Sequence, residues 1–156
     1  MNQMSPHLIR VSTTTNPFSP KSIHIPTSYY EKILKDIQKR YPEEACGVLL
    51  GRRHPKEYQV FEVHPITNQL HSPIRYRMEP QEQLKVFNYM DENMLELVAI
   101  YHSHPTGPTS VSQTDIEEAF YPEAVYLIFS NTQKFWQSQA FLIQNGEVTE
   151  IQVVIE

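Results

Sequence analysis

Short apolar runs bounded by turn-forming residues constrain the fold of this chain more than any other feature. Runs of this kind, too short for an amphipathic helix, are typical of β-strands. They cover residues 46–52, 95–101 and 124–129, and strands are also predicted over the alternating segment 58–63 and over 135–143 and 148–155. Asn145-Gly146 joins the last two as a hairpin turn, and the alternating segment 22–26 predicts one more strand. The chain is therefore expected to build a central sheet.

Helical periodicity occupies some of the intervals between these strands. Helix one is predicted from Ser28 to about residue 41, because Ser28 and Glu31 have capping-box spacing and Pro42 ends the pattern. Helix two begins at Pro80, a residue favoured at the first helical position, and runs to about residue 93. Its predicted apolar face consists of Leu84, Phe87 and Met90. A third, short helix opens at Ser112 and closes before Pro122.

Together these elements predict a single α+β domain with a central mixed or antiparallel sheet flanked by helices. The 156 residues suit one hydrophobic core and leave little room for a second. Residues 1–20 are rich in Ser, Thr, Asn and Pro and are expected to form a flexible N-terminal arm, followed by the domain over residues 21–156. We also expect an exposed strand edge, which could pair with a second copy to give a homodimer or could hold an extended peptide.

Charge and cysteine content argue against several classes of protein. With 13 basic against 18 acidic residues the formal charge is -5, and no run of Lys and Arg exceeds Arg52-Arg53. A nucleic-acid-binding domain would need a basic patch, so a role on DNA, such as assistance to repair, is disfavoured. Cys46 is the only cysteine, no apolar stretch is long enough to span a membrane, and the N-terminus lacks the apolar region of a signal peptide. We therefore expect a cytoplasmic protein.

Two histidines directly after the strand 95–101 carry the strongest chemical signal. Side chains at positions i and i+2 of a strand point to the same side, so His102 and His104 can converge on one cation. Asp115 follows beyond a loop in which Gly107 lies between two prolines, and this loop can fold back over the strand end. Two imidazoles and one carboxylate leave a fourth zinc position open for water, which is typical of catalytic rather than structural zinc.

Each part of this pattern also has a plainer interpretation. His-x-His occurs on surfaces and in cores without a metal, and Ser112-x-x-Asp115 has the spacing of a helix N-terminal cap, which is compatible with metal binding. A carboxylate could supply the general base for zinc-dependent hydrolysis. Spacing alone does not rank the candidates, which are Glu43, Glu44, Glu117 and Glu118. Cys46, inside an apolar strand, is expected to be an inert buried residue.

At these residues the chain resembles the JAMM (MPN-plus) metallopeptidase family. The family signature is a glutamate ahead of a Cys-Gly strand, then His-x-His-Pro, then a serine separated from the second histidine by seven residues, then two more residues and an aspartate. This chain carries Glu44-Ala45-Cys46-Gly47, His102-Ser103-His104-Pro105, Ser112 and Asp115, with the interval intact. The pattern extends from about residue 22 to the C-terminus.

The resemblance implies a role for each signature residue. It implies His102, His104 and Asp115 as the ligands of one zinc ion per chain. It implies Glu44 as the general acid/base that acts on the attacking water, and Ser112 as the donor that stabilises the oxyanion. The implied fold is a β-sheet wrapped with helices, similar to that of cytidine deaminases.

The resemblance also implies a class of substrate. Members of the family cut amide or isopeptide bonds after the C-terminal glycine of ubiquitin or ubiquitin-like proteins. The stretch from Asn68 to Pro80 is similar to the compact bacterial and archaeal branch, whose members include hydrolases that release cysteine or another amine from a sulfur-carrier protein. The expected function is therefore zinc-dependent hydrolysis at the C-terminal Gly-Gly tail of such a carrier. The alternative is a non-catalytic scaffold that binds ubiquitin-like tails. In that stretch, His71 and Tyr76 either line the substrate groove or anchor a loop.

Overall fold

The computed structural model of the protein describes residues 18–156. Within this range, strands and helices follow one another in nearly the order expected from the sequence. They are β1 (Ser22–Ile25), α1 (Thr27–Arg40), β2 (Cys46–Arg53), β3 (Glu57–Ile66), α2 (Pro80–Glu92), β4 (Glu96–His104), α3 (Gln113–Glu117), β5 (Val125–Asn131), β6 (Trp136–Gln144) and β7 (Glu147–Ile155). Most of the arm predicted over residues 1–20 lies outside the described residues. Its last part is attached to the sheet, since Phe18 packs edge-on against Tyr58 and Ser19 N donates to Pro55 O.

The strands close into a barrel in the order β1-β3-β2-β4-β5-β6-β7, with β1 paired to β7. The pairs β1–β3, β1–β7 and β4–β5 are parallel and the others are antiparallel, so the predicted mixed sheet is confirmed. In residues 18–156 each strand has a neighbour on both sides over part of its length. Short β1 joins only the start of β3 to the end of β7, so the expected exposed strand edge is limited to the parts of β3 and β7 that do not pair with β1.

Both faces of β4 are buried, which explains its nearly continuous apolar sequence. Ala99 and Tyr101 belong to a core cluster that also contains Ile33 and Ile37 of α1. Ile100 points the other way, into a second cluster that residues of α2 and α3 help to cover. The alternation of a strand then puts the next even-numbered residues of β4, which are the two histidines, on the side of α2 and α3.

The start of α1 differs from the sequence expectation. The capping box at Ser28 and Glu31 is wrong, since the helix begins at Thr27, its N-cap is Pro26, and no side chain caps it. The reason is a contact with the end of the chain. Thr27 donates to Glu156 O from its backbone N at 2.7 Å and from its hydroxyl at 2.8 Å.

Two further local predictions have opposite outcomes. Leu84 is 60% exposed, so its place on the apolar face of α2 is wrong; the predicted Phe87 does pack against the core, together with Val86. The Asn145-Gly146 turn is confirmed, because both residues have the positive φ, 51° and 78°, that a two-residue hairpin turn requires. No helix within residues 18–156 combines the length and the apolarity needed to cross a bilayer.

Candidate metal centre and active site

β4 continues beyond the predicted strand end and therefore carries both histidines. Its regular pleat puts the rings of His102 and His104 on one side, with their Nε2 atoms 3.1 Å apart. Both side chains are buried. His104 Nδ1 lies 2.8 Å from Pro108 O. Because a carbonyl only accepts, Nδ1 carries the proton, and in the neutral ring Nε2 presents its lone pair to the centre.

Asp115 reaches the same point from α3. Its Oδ1 lies 3.0 Å from His102 Nε2, and its Oδ2 lies 3.1 Å from His104 Nε2. The same aspartate closes a capping box, in which Ser112 N donates to Asp115 Oδ2 at 2.8 Å and Asp115 N donates to Ser112 Oγ at 3.1 Å. The capping interpretation is therefore confirmed, and the cap aims the carboxylate at the two histidines.

This donor set fits a divalent cation that prefers nitrogen and oxygen ligands. Its ligand atoms lie within 4.8 Å of one another. Tetrahedral ligands around zinc are separated by about 3.3 Å, and the observed spacings are 3.0 to 3.1 Å. His104 Nε2 also faces Asp115 Oδ2, and two acceptors at that distance repel each other unless a proton or a cation lies between them. The three residues can therefore hold zinc, with one coordination position left over.

The electrostatics of the centre also suit a cation. Burial by itself would raise the pKa of Asp115, but its hydrogen bonds with His102 and His104 hold that pKa well below the usual value. Burial lowers the pKa of His102 by more than Asp115 raises it, so this ring is neutral, the form that binds metals. Burial is the largest influence on the pKa of His104 and acts to lower it, but the interactions with Asp115, Pro108 O and Glu44 together outweigh burial, so the pKa is raised.

Of the four candidate acids, Glu44 is the one buried beside this centre. The residue as a whole is 4% exposed to solvent. Burial raises its pKa to about 8, with the carboxylates of Asp115 and Glu118 adding to the shift and His104 opposing it. The other candidates pair elsewhere: Glu43 with His71, Glu117 with Gln113, and Glu118 with Arg75. Burial thus sets Glu44 apart from the other three acids, and its role as the general base stays a prediction.

Tyr76 covers one side of the centre. Its ring stacks on His102, with the centroids 4.7 Å apart and the planes inclined by 26°. Beyond Tyr76 lies a groove of about 390 Å³ between the 67–79 loop, α2 and the segment that follows α3. Its lining includes Arg75, Met78, Ile100, Phe120 and Tyr126. Tyr76 therefore lines this groove, whereas His71 is exposed and bonds to Glu43; that the groove takes substrate stays a prediction.

Two buried polar residues next to Glu44 had no role in the sequence analysis. Asn68 is 2% exposed and donates to Glu44 O. Ser103, between the two histidines, is fully buried and accepts from Ala45 N at 2.8 Å. Asn68 belongs to the stretch of sequence that resembles the compact bacterial and archaeal branch of the family, and Ser103 is the middle residue of the His-x-His motif. Neither gave a chemical signal, because a short amide or hydroxyl in a sequence does not reveal its partner.

The family model described as prokaryotic homologs of the JAB domain matches residues 26–141. This chain belongs to that family. The matched part contains every residue of the signature, so the predicted relationship to the JAMM metallopeptidases is confirmed.

Named relatives align with most of this JAB domain. Desampylase of Pyrococcus furiosus is 31% identical over 147 residues, which cover 93% of this chain and 99% of the relative. CysO-cysteine peptidase of Mycobacterium tuberculosis is 38% identical over 112 residues, which cover 70% of this chain and 75% of the relative. The probable TtuB-protein conjugate cleaving protease of Thermus thermophilus is 32% identical over 134 residues, which cover 85% of this chain and 82% of the relative.

A solved structure supports the fold. A protein from Desulfitobacterium hafniense superposes with a TM-score of 0.77 at 32% identity, covering 86% of this chain and 92% of that one. The JAB domain therefore has a strand-rich α+β fold that a relative shares. The predicted likeness to cytidine deaminases stays a prediction.

Proposed function

We propose that this JAB domain is a zinc-dependent hydrolase that cleaves the amide or isopeptide bond after the C-terminal glycine of a ubiquitin-like sulfur-carrier protein. The observation that carries the proposal is the convergence of His102, His104 and Asp115 beside the buried carboxyl of Glu44. The relatives named as a desampylase, a CysO-cysteine peptidase and a TtuB-conjugate protease support the class of substrate. We place the reaction in the cytoplasm, with one zinc ion per chain.

In this proposal His102, His104 and Asp115 hold the ion, which when bound supplies Lewis acidity toward a water molecule and a carbonyl. Glu44 takes a proton from the attacking water onto its carboxylate. It returns that proton to the nitrogen of the leaving amine as the C–N bond breaks, so the reaction consumes one water and restores the carboxylate. Burial suits Glu44 to both steps, because a raised pKa brings proton uptake and proton release closer to neutral pH.

Ser112 is the proposed donor to the carbonyl oxygen. Its Oγ already accepts the Asp115 N–H at 3.1 Å, which orients the hydroxyl and leaves its hydrogen available. A preorganised donor of this kind stabilises the negative charge that the oxygen gains during attack. The capping box therefore serves two purposes, since it aims the carboxylate of Asp115 and positions the hydroxyl of Ser112.

The groove beside Tyr76 is the proposed path of the carrier's tail. Two terminal glycines would bring no side chains past the Tyr76 ring, and the wider part of the groove, lined by Ile100, Phe120 and Tyr126, has room for the residues before them. We propose that the scissile bond then lies at the centre, within reach of Glu44.

The test uses a purified sulfur-carrier protein with cysteine or a lysine peptide joined to its terminal glycine through an amide. Intact-mass spectrometry follows release of the amine by the zinc-loaded wild type, Glu44→Gln and Glu43→Gln. We expect Glu44→Gln to be slower by at least ~100-fold, the usual contribution of general acid–base catalysis. Glu43→Gln is the matched control, because it removes the neighbouring carboxylate, which pairs with His71.

Two results would count against the proposal. Equal cleavage by Glu44→Gln and the wild type would remove Glu44 from the mechanism. A wild type that binds zinc and the conjugate but releases no amine would instead favour the non-catalytic scaffold.

A further inference from the structure

We infer that Asn68 is a positioning residue that holds the backbone of Glu44 and the groove wall around Tyr76 in one fixed arrangement. The inference rests on the proposed function, because it gives Asn68 a part in the same hydrolysis. Asn68 lies in the 67–79 loop, and its amide bonds to none of the three candidate metal ligands; it does bond to the backbone of Arg75 and Arg77, which line the groove.

The side-chain amide of Asn68 is buried and fully used. Its Nδ2 lies 3.1 Å from Glu44 O, 3.4 Å from Ser72 O and 3.1 Å from Arg75 O. Its Oδ1 accepts from Leu70 N and from Arg77 N, both at 3.1 Å. An amide offers two donor hydrogens and two acceptor lone pairs on one flat group. A carboxylate, a hydroxyl or an alkyl side chain of similar size could not satisfy all of these partners.

One of these bonds leaves the loop and reaches Glu44. A second bond ties the same residue, since Glu44 N donates to Ser72 O at 2.9 Å. Both backbone groups of Glu44 are thus bound to the 67–79 loop, and Asn68 binds the Ser72 carbonyl as well. The peptide that carries the proposed general base is therefore part of the loop's hydrogen-bond network.

The remaining bonds fix the residues on either side of Tyr76. Asn68 donates to Arg75 O and accepts from Arg77 N, so the backbone is held immediately before and after the ring that stacks on His102. One buried side chain consequently sets the positions of both Glu44 and Tyr76 relative to the centre. Placement errors of about 1 Å at a reacting group can reduce the rate by about 100-fold.

The principal variant is Asn68→Asp, which keeps the shape of the side chain and replaces its N–H donors with an oxygen that faces three carbonyls. Asn93→Asp is the matched control, because Asn93 is exposed at the end of α2. Within residues 18–156 its Nδ2 donates only to Tyr89 O. The probe is a carrier-tail peptide that ends in Gly-Gly joined to aminomethylcoumarin, whose activated leaving group keeps low rates measurable. Zinc content and the folded fraction, from circular dichroism, are measured on each sample.

We expect Asn68→Asp to lower kcat by about 10- to 100-fold per folded molecule with zinc content unchanged, while Asn93→Asp behaves like the wild type. Hydrogen exchange should also become faster in residues 43–47 and 67–79 of Asn68→Asp. If Asn68→Asp does not fold, Asn68→Ser is tested in its place, since the smaller side chain leaves room for water among the carbonyls; it must show the same loss of kcat.

The decisive measurement repeats the substitution in Glu44→Gln. Because the part of the effect that passes through Glu44 is already lost in that background, adding Asn68→Asp should lower kcat there by a smaller factor than in the wild type, as coupled residues are not additive. Full multiplication of the two effects, or an unchanged kcat in Asn68→Asp, would overturn the inference. A wild type that cleaves no probe would instead refute the proposed function, and the exchange of residues 43–47 would still report whether Asn68 holds Glu44.

Discussion

Ser103→Ala tests how the strand with the two histidines is joined to the segment that carries Glu44. Ser103 Oγ accepts the Ala45 N–H at 2.8 Å, and Ser103 N donates back to Ala45 O at 3.1 Å. Both residues are fully buried, so water cannot readily replace the hydroxyl. The substitution is nearly isosteric, and its main effect is to leave a buried N–H without an acceptor. That costs about 1–3 kcal/mol, which in a domain of this size lowers Tm by roughly 3–10 °C.

Ser130→Ala is the matched control for this prediction. Ser130 is 1% exposed and donates to Pro108 O at 3.1 Å, but that carbonyl also accepts from His104 Nδ1 at 2.8 Å. Removing the hydroxyl therefore leaves the carbonyl bonded, and we expect a loss below about 1 kcal/mol. Thermal unfolding is followed by circular dichroism in EDTA, so that metal binding does not mask the difference. A smaller loss of Tm in Ser103→Ala than in Ser130→Ala would refute the reasoning.

Three further predictions concern the metal, the thiol and the packing of the sheet. Zinc added to chelator-treated protein at about 100 times its Kd should stabilise the fold by about 2.7 kcal/mol and so raise Tm. This rise should vanish in His104→Ala and persist in His54→Ala, a control at an exposed histidine. A rise that persists in His104→Ala would exclude His104 as a ligand. Burial raises the pKa of Cys46 to about 12, so iodoacetamide at pH 8 should label it about 1000-fold more slowly in the native protein than in urea; similar rates would contradict this. Gly47→Ala would put a Cβ 2.4 Å from Tyr101 Cε1. Urea titration should therefore show a free energy of unfolding lower by about 1–3 kcal/mol. An unchanged urea midpoint would mean that the Tyr101 ring moves aside freely.

Features that depend on neighbours in the chain were accessible from the sequence. The Asn145-Gly146 turn follows from the backbone preferences of two residues, and the Ser112 cap follows from a spacing of three. The common side of His102 and His104 follows from the alternation of a strand. In each case the physical cause acts within a few residues, so a local pattern was enough to predict it.

Contacts between distant segments were decided only by the tertiary structure. Closure of the barrel depends on β1 meeting both β3 and β7, and no periodicity within residues 22–25 indicates these partners. From the residues alone Glu43 and Glu44 were equal candidates, and only the family resemblance favoured one; burial beside Asp115 separates them physically. Asn68 bonds to a residue 24 positions away. Such bonds exist because the packed sheet excludes water and brings particular polar groups together, which is a property of the whole fold rather than of any short segment.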